Sequence, residues 1–310
     1  MIFEIGLAVG ILLFVSPWLI GRLFPETAAG LLTAMARRQA GLTERRMSVG
    51  GIDIAWWDGG QGEPLVLVHG MGASRGTFLA VAGFLTPRYR VIIPDLPGFG
   101  DSGKPPEADY SIGAQVGHLD RLMTALGLAK AHLGGNSMGG WIVAAYAARF
   151  PEKVSSLWLL AAAGTEDLRQ SIATTAYLDR QEYILLPRGA TELRRVFDLI
   201  MCRVPPIPRC MMVALGRRAA ANFPLHKRIF DELVRRAVEF QLEPRLPGIA
   251  QPTLLVWGAH DRVVPPSALE TFHSLLPRSE KILLPDVAHV PQVEAPRRVA
   301  EDYIAFRDRL

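Results

Sequence analysis

Gly135-Asn136-Ser137-Met138-Gly139 is the segment that most narrows what this chain can fold into. Residues 130–134 before it read as a short strand. Residues 139–150 after it are Ala-rich and apolar at helical spacing until Pro151 stops the run. A G-x-S-x-G string between a strand and a helix predicts a nucleophile elbow, a strained turn that lifts a serine oxygen above the sheet. The flanking glycines have no side chain to clash in so tight a turn. Three fixed positions recur by chance in glycine-rich chains, so the setting carries the reading more than the string does.

The partners such a serine needs follow in the chain order of this architecture, acid and then histidine. Pro252 precedes the apolar run 253–257, which reads as a buried parallel strand and ends in Gly258-Ala259-His260-Asp261. Residues 281–284 read as another strand, followed by Asp286-Val287-Ala288-His289. Reacting groups in open α/β sheets collect outside the carboxyl ends of strands, so Ser137, Asp261 and His289 are expected on one edge. Singly, Asp261 suits a turn cap and His289 a surface loop; their order and spacing favour a triad. Glu166 and Asp167, just past the strand expected at 156–162, stay open as alternative acids.

Acyl transfer also needs donors aimed at a developing oxyanion. The apolar strand 64–68 leads into His69-Gly70-Met71-Gly72, which offers the Met71 amide. Met138, directly after the serine at a helix N-terminus, offers the second. His69 reads as a buried brace for this loop. The Pro/Gly-dense segment from Asp95 to Ser102, after the strand at 90–93, reads as a structural turn.

On these motifs the chain resembles the α/β-hydrolase superfamily over about residues 49–310. Within it the chain is most similar to membrane-anchored monoacylglycerol lipases of the abhydrolase-domain type and to bacterial lipases related to them. The likeness rests on Asn136-Ser137-Met138-Gly139-Gly140, the strand approach after Pro151, the apolar N-terminus, and the insertion around Asn222-Phe223-Pro224 and Lys227-Arg228-Ile229-Phe230. It implies a mostly parallel central sheet flanked by helices, a helical cap before the acid-bearing strand, and an N-terminal membrane helix. It implies Ser137 as nucleophile, His289 as base, Asp261 as its orienting acid, and no cofactor. The Gly-Asn-Ser-Met-Gly-Gly string also occurs in carbon–carbon bond hydrolases of aromatic degradation. Those usually carry Trp after the histidine where this chain has Val290.

A chain of 310 residues suits one α/β domain with a cap. A net charge of +4 without a basic-aromatic repeat argues against a nucleic-acid partner. Cys202 and Cys210 lack metal-ligand spacing, so neither a metal site nor a disulfide framework is expected. Residues 5–21 carry no charge between Glu4 and Arg22, and they just reach the roughly 17-residue lower limit of a membrane span. A retained anchor is the preferred reading over an interfacial helix or a cleaved signal, because the segment before the run holds Glu4 and no Lys or Arg. Arg22, Arg37, Arg38, Arg45 and Arg46 follow the run, which puts the catalytic domain on the cytoplasmic side under the positive-inside rule. Gly6 and Gly10 have the spacing of a helix-pairing face and so offer self-association.

The expected organisation is an anchor at 1–24, a linker or juxtamembrane helix at 25–48, core at 49–163 and 248–310, and a helical cap at 164–247. Cap helices are expected at 193–201 and 227–240, with a break at Val204-Pro205-Pro206-Ile207-Pro208. Such a cap excludes water and shapes the acyl site. Gly70, Met211, Phe223 and Val290 are expected to contact substrate, while Met201, Met212 and Leu225 serve equally as lining or as cap core. Arg209, Arg217 and Arg218 suit lipid head groups or a solvated face. The reading is a membrane-associated serine hydrolase of lipid esters, most readily monoacylglycerols. Carbon–carbon hydrolysis of vinylogous diketones, or ligand binding on a hydrolase fold without turnover, are the alternatives.

Overall fold

The structure, a computed structural model, describes residues 21–310. Its centre is an eight-stranded sheet ordered β1-β2-β4-β3-β5-β6-β7-β8. The strands are β1 (Leu42–Val49), β2 (Ile52–Gly59), β3 (Glu63–Val68), β4 (Tyr89–Pro94), β5 (Ala131–Asn136), β6 (Val154–Leu160), β7 (Thr253–Gly258) and β8 (Ser279–Leu284). From β4 through β8 all pairings are parallel, and β2 runs antiparallel to both β1 and β4. The helices are α1 (Pro25–Gln39), α2 (Leu79–Leu85), α3 (Ile112–Ala125), α4 (Met138–Arg149), α5 (Ile172–Arg180), α6 (Ala190–Ile200), α7 (Arg209–Arg235), α8 (Ser267–Leu275), α9 (Pro291–Glu294) and α10 (Pro296–Arg307).

Strands β5 and β7 are buried along their whole length, as continuous apolar or glycine-containing runs require when both sheet faces are covered. One face packs on α3, α4 and α8 through residues such as Leu133, Ile142, Leu119 and Phe272. The other packs on α2 and α10 through Leu65, Val81, Trp158 and Tyr303. Between β6 and β7 the chain leaves the sheet to form α5, α6 and α7, the helical cap expected there.

Residues 25–48 are a correction. Only Pro25–Gln39 is helical, and Leu42–Val49 is a strand that opens the sheet ahead of Val49. Its polar Thr43-Glu44-Arg45-Arg46 stretch shows no apolar alternation, because β1 is an exposed edge strand and edges carry charge. It is paired to β2 through Gly50-Gly51, both at positive φ (59° and 80°), as a two-residue hairpin turn demands. A second correction concerns the cap. The helix expected at 227–240 is the tail of α7, which starts at Arg209, runs through Pro224 and ends at Arg235. A 3-10 turn, Ala237–Phe240, follows it.

The membrane span expected at residues 5–21, with its Gly6/Gly10 face, falls outside the described residues except for Gly21. Among the described residues no helix is long and apolar enough to cross a membrane.

Candidate active site

Ser137 caps α4 at φ 57° and ψ −121°, a region that a non-glycine residue enters only under strain. The turn is closed by sterics on both sides. A Cβ on Gly135 would stand 2.3 Å from the Gly139 carbonyl oxygen, and one on Gly139 would stand 2.0 Å from that of Val68. Neither glycine can carry a side chain without moving backbone. The close approach of α4 to the end of β3 brings the loop 69–72 against the serine. A Cβ on Gly70 would lie 3.1 Å from Ser137 Cβ and 3.6 Å from its Oγ.

The loop is held by His69, which is fully buried. Its Nδ1–H donates to the Gly70 carbonyl at 2.8 Å, and its Nε2 accepts the Leu96 amide at 3.1 Å. Both bonds suit the neutral ring, and burial pushes the His69 pKa down in the same sense. A trans peptide sends its N–H opposite to its C=O, so fixing the Gly70 carbonyl also fixes the direction of the Met71 N–H. Met138 stands at the first position of α4, where backbone N–H groups have no intrahelical partner. Asp95 is structural, as expected. Its carboxylate accepts from the Arg75 amide and guanidinium, both at 2.7 Å, and from the Asp101 amide at 2.8 Å.

His289 and Asp261 meet. Nδ1 of the histidine lies 2.8 Å from Oδ2 of the aspartate, both residues being buried. Oδ1 of Asp261 accepts the Val263 and Val264 amides at 2.8 and 2.9 Å, which locks the carboxylate on the loop after β7. A proton on Nδ1 facing the carboxylate leaves Nε2 as the free base of the ring. Asp167 is engaged elsewhere, accepting from Ser267 Oγ at 2.6 Å and Thr165 Oγ1 at 3.2 Å. Glu166 Oε1 accepts from Gln241 Nε2 at 3.0 Å. Of the acids considered, Asp261 is the one on His289.

In the sequence Asn136 is legible only as part of the string around Ser137, with no role of its own. Its side-chain amide donates to the carbonyls of Leu160 and His289, each at 3.0 Å, and so ties the loop carrying the histidine to the strand that ends in the serine. From the cap side, the His289 amide donates to the Ile200 carbonyl at 2.9 Å.

Ser137, Met71 and Met138 open onto a cavity of about 390 Å³ between core and cap. Its wall is mainly apolar: Trp141, Leu168 and Val263 with Phe230, Leu233 and Val234 of α7. Glu166 and Arg169 are the two charged residues in its lining. Met211 and Phe223, expected to touch substrate, do not line it. Met211 accepts a hydrogen bond from Thr33 of α1, and Phe223 sits under the Arg188 guanidinium, 4.3 Å from its ring centroid. Met211 lies in the first turn of α7 and Phe223 near its middle, whereas the wall is built by its last two turns. Met201, Met212 and Leu225 are also outside the lining. Val290, buried next to His289 in sequence, and Gly70, which abuts Ser137, are not part of the lining either. Among the described residues no group of three or more His, Cys, Asp or Glu side chains is placed to hold a metal ion.

A family model described as alpha/beta hydrolase fold matches residues 63–296. "Lipase 3" of Moraxella sp. (strain TA144) is 40% identical over 80% of this chain and 78% of its own length. "Monoacylglycerol lipase abhd6-A" of Xenopus laevis is 27% identical over 95% of this chain and 90% of its own. Among solved structures, one described as a membrane phospholipase A and bacterial virulence factor superposes with a TM-score of 0.88. It is 38% identical and the match covers 99% of this chain and 96% of that one.

Proposed function

The chain belongs to the α/β-hydrolase fold family, and we propose that within it this protein is a membrane-associated lipolytic serine hydrolase, a monoacylglycerol lipase working through an acyl-enzyme on Ser137. The observation that carries the reading is the His289–Asp261 contact of 2.8 Å on the same sheet edge as a strained serine that faces an apolar cavity. Lipase-named relatives support the substrate class.

In this reading Ser137 Oγ attacks the ester carbonyl while His289 Nε2 takes its proton. The amides of Met71 and Met138 bind the oxyanion that forms. Asp261 keeps the imidazole in the tautomer that leaves Nε2 basic, and it stabilises the imidazolium. Collapse of the tetrahedral intermediate breaks the ester C–O bond, and His289 returns its proton to the departing alcohol. A water then repeats the sequence on the acyl-enzyme and frees the fatty acid. The apolar walls suit an acyl chain, which is what a small soluble ester would leave unused. The uncharged run at 5–21 would hold the enzyme where such substrates partition, with the catalytic domain on the cytoplasmic side.

Glycerol release from 1-oleoylglycerol in detergent micelles tests this. The wild-type protein should turn over repeatedly, and Ser137→Ala should lose activity by about 10⁴-fold or more. A folded wild-type protein that releases no glycerol rejects the monoacylglycerol reading. Equal release by the alanine variant rejects Ser137 as nucleophile.

A further inference from the structure

Half of the large hydrophobic side chains that are well exposed on the described surface come from one short stretch: Leu23 (60%), Phe24 (60%), Leu31 (59%), Leu32 (42%) and Met35 (57%). At helical spacing Leu31, Leu32 and Met35 fall on one face of α1 with Ala28, and Leu23 and Phe24 come directly before its first turn. A different face of the same helix is already used: Pro25 and Ala29 are buried, Thr33 bonds Met211, and Glu26 pairs with Arg217 at 3.2 Å. So α1 has two working faces. One holds it on α7 and the other is apolar and open, which isolated exposed leucines do not explain.

We infer that this second face of α1 docks on a lipid bilayer surface, so that α1 is an interfacial helix lying against the headgroup–acyl boundary. Three features select lipid as the occupant. The stripe begins where the uncharged run 5–21 ends, so the chain itself leads from that run straight into the stripe. Arg38, exposed in the last turn of α1, stands at the end of the stripe, where a cation can meet headgroups from an interfacial helix. Five apolar side chains on and beside one helix also suffice for an amphipathic contact with lipid.

Docking there has a consequence for the cap. Helix α1 rests on the first half of α7, and the last turns of α7 supply Phe230, Leu233 and Val234 to the cavity that holds Ser137. A bilayer held by α1 therefore lies against the helix that walls the acyl site. The inference concerns where the enzyme meets lipid and stands apart from the identity of the ester it cleaves.

Nitroxide labels on the full-length protein in phosphatidylcholine–phosphatidylglycerol vesicles test it. Cys202 and Cys210 are replaced by Ser, and single cysteines are introduced as Leu31→Cys, Met35→Cys and, for comparison, Leu310→Cys, an exposed leucine outside the stripe (55%). Labels at 31 and 35 should be relaxed more by dioxygen than by a water-soluble nickel complex, and the label at 310 the reverse. Equal water exposure at all three positions overturns the proposal. So does spin–spin broadening at 31 and 35, which would mark a second copy as the occupant. In parallel, Leu31→Gln/Met35→Gln should lose about tenfold in activity on a vesicle-borne ester with no change on a short water-soluble ester. An equal fall on both substrates marks a folding defect and, with water-exposed labels, rejects the docking role. Inactivity of the parent protein on lipid esters would leave the label experiment to decide on its own.

Discussion

A single residue, Asn136, shows how the site depends on contacts that no local pattern encodes. Its amide donates to the His289 carbonyl across a sequence separation of 153 residues. Replacing it with alanine strips the His289 carbonyl of a buried donor, at a cost of roughly 1–3 kcal/mol, and frees the loop to shift. Asn136→Ala is therefore expected to lower kcat by roughly ten- to a hundredfold with KM near the wild-type value, read from steady-state kinetics on a soluble ester. An unchanged kcat rejects the positioning role. The placing of Ser137, Asp261 and His289 in the segments that follow β5, β7 and β8 is legible because a strand end fixes where the next loop emerges. The role of Asn136 is hidden because its identity matters only through where its side chain turns. The Gly70–His69 brace lies between these cases: its loop was visible in sequence, while the ring tautomer follows from the Leu96 amide that reaches Nε2.

Elements divide along the same line. Core strands β3 to β7 are buried on both faces, so their apolar runs announce them within a residue or two. Edge strand β1 is made by its partner and a Gly50-Gly51 turn rather than by its own pattern. Helix α7 begins at Arg209, well ahead of the helix expected at 227–240, and a proline normally ends a helix. Here Pro224 sits inside it. The helix tolerates this because it is clamped along its length: Thr33 and Glu26 of α1 meet Met211 and Arg217, Gly216 packs so closely on Ala190 that a Cβ would stand 2.5 Å from its nitrogen, and His226 reaches the core. Proline has no N–H to offer the Ala220 carbonyl four residues earlier, so packing offsets a helical cost of up to about 3 kcal/mol. Pro224→Ala should raise the denaturant midpoint by an amount equivalent to about 1–3 kcal/mol, with the cavity wall and activity unaffected. A midpoint that falls would mean the proline is needed for the path of α7. The cavity wall is not legible in the sequence for a related reason: the residues expected to touch substrate, Met211 and Phe223, lie nearer the start of α7, and only the helix phase against the core selects Phe230, Leu233 and Val234.

At the scale of the molecule, three neutral histidines pin separate layers together. His69 holds the loop after β3. His132 of β5 lies 2.9 Å from Ser156 Oγ of β6. His226 of the cap donates from Nε2 to the Gly98 carbonyl at 3.3 Å and stacks on Phe99. Burial lowers the pKa of all three, to about 4 for His132 and His226. Around His132, Arg307 and Lys130 push further down against the opposing pull of Glu63. Around His226, Lys104 and His69 push the same way against the Gly98 bond. Since the unfolded chain titrates near 6.5, it binds more protons than the folded chain between about pH 6.5 and 4. Stability is therefore complete above that window and is lost as the pH falls through it. Carboxylates held below their ordinary range, such as Asp231 and Asp308, withdraw their contribution only at still lower pH. Urea unfolding at pH 7.5 and pH 5.0 should show a drop on the order of 1–3 kcal/mol for each of His132 and His226, with His69 acting in the same direction. His226→Gln keeps a donor for the Gly98 carbonyl but cannot take up a proton, so it should remove its share of the pH dependence, although not all of its stability at pH 7.5. A wild-type midpoint that is flat or rises between pH 7.5 and 5.0 would show that these rings are not held neutral, and that the cap is fastened to the core by some other contact.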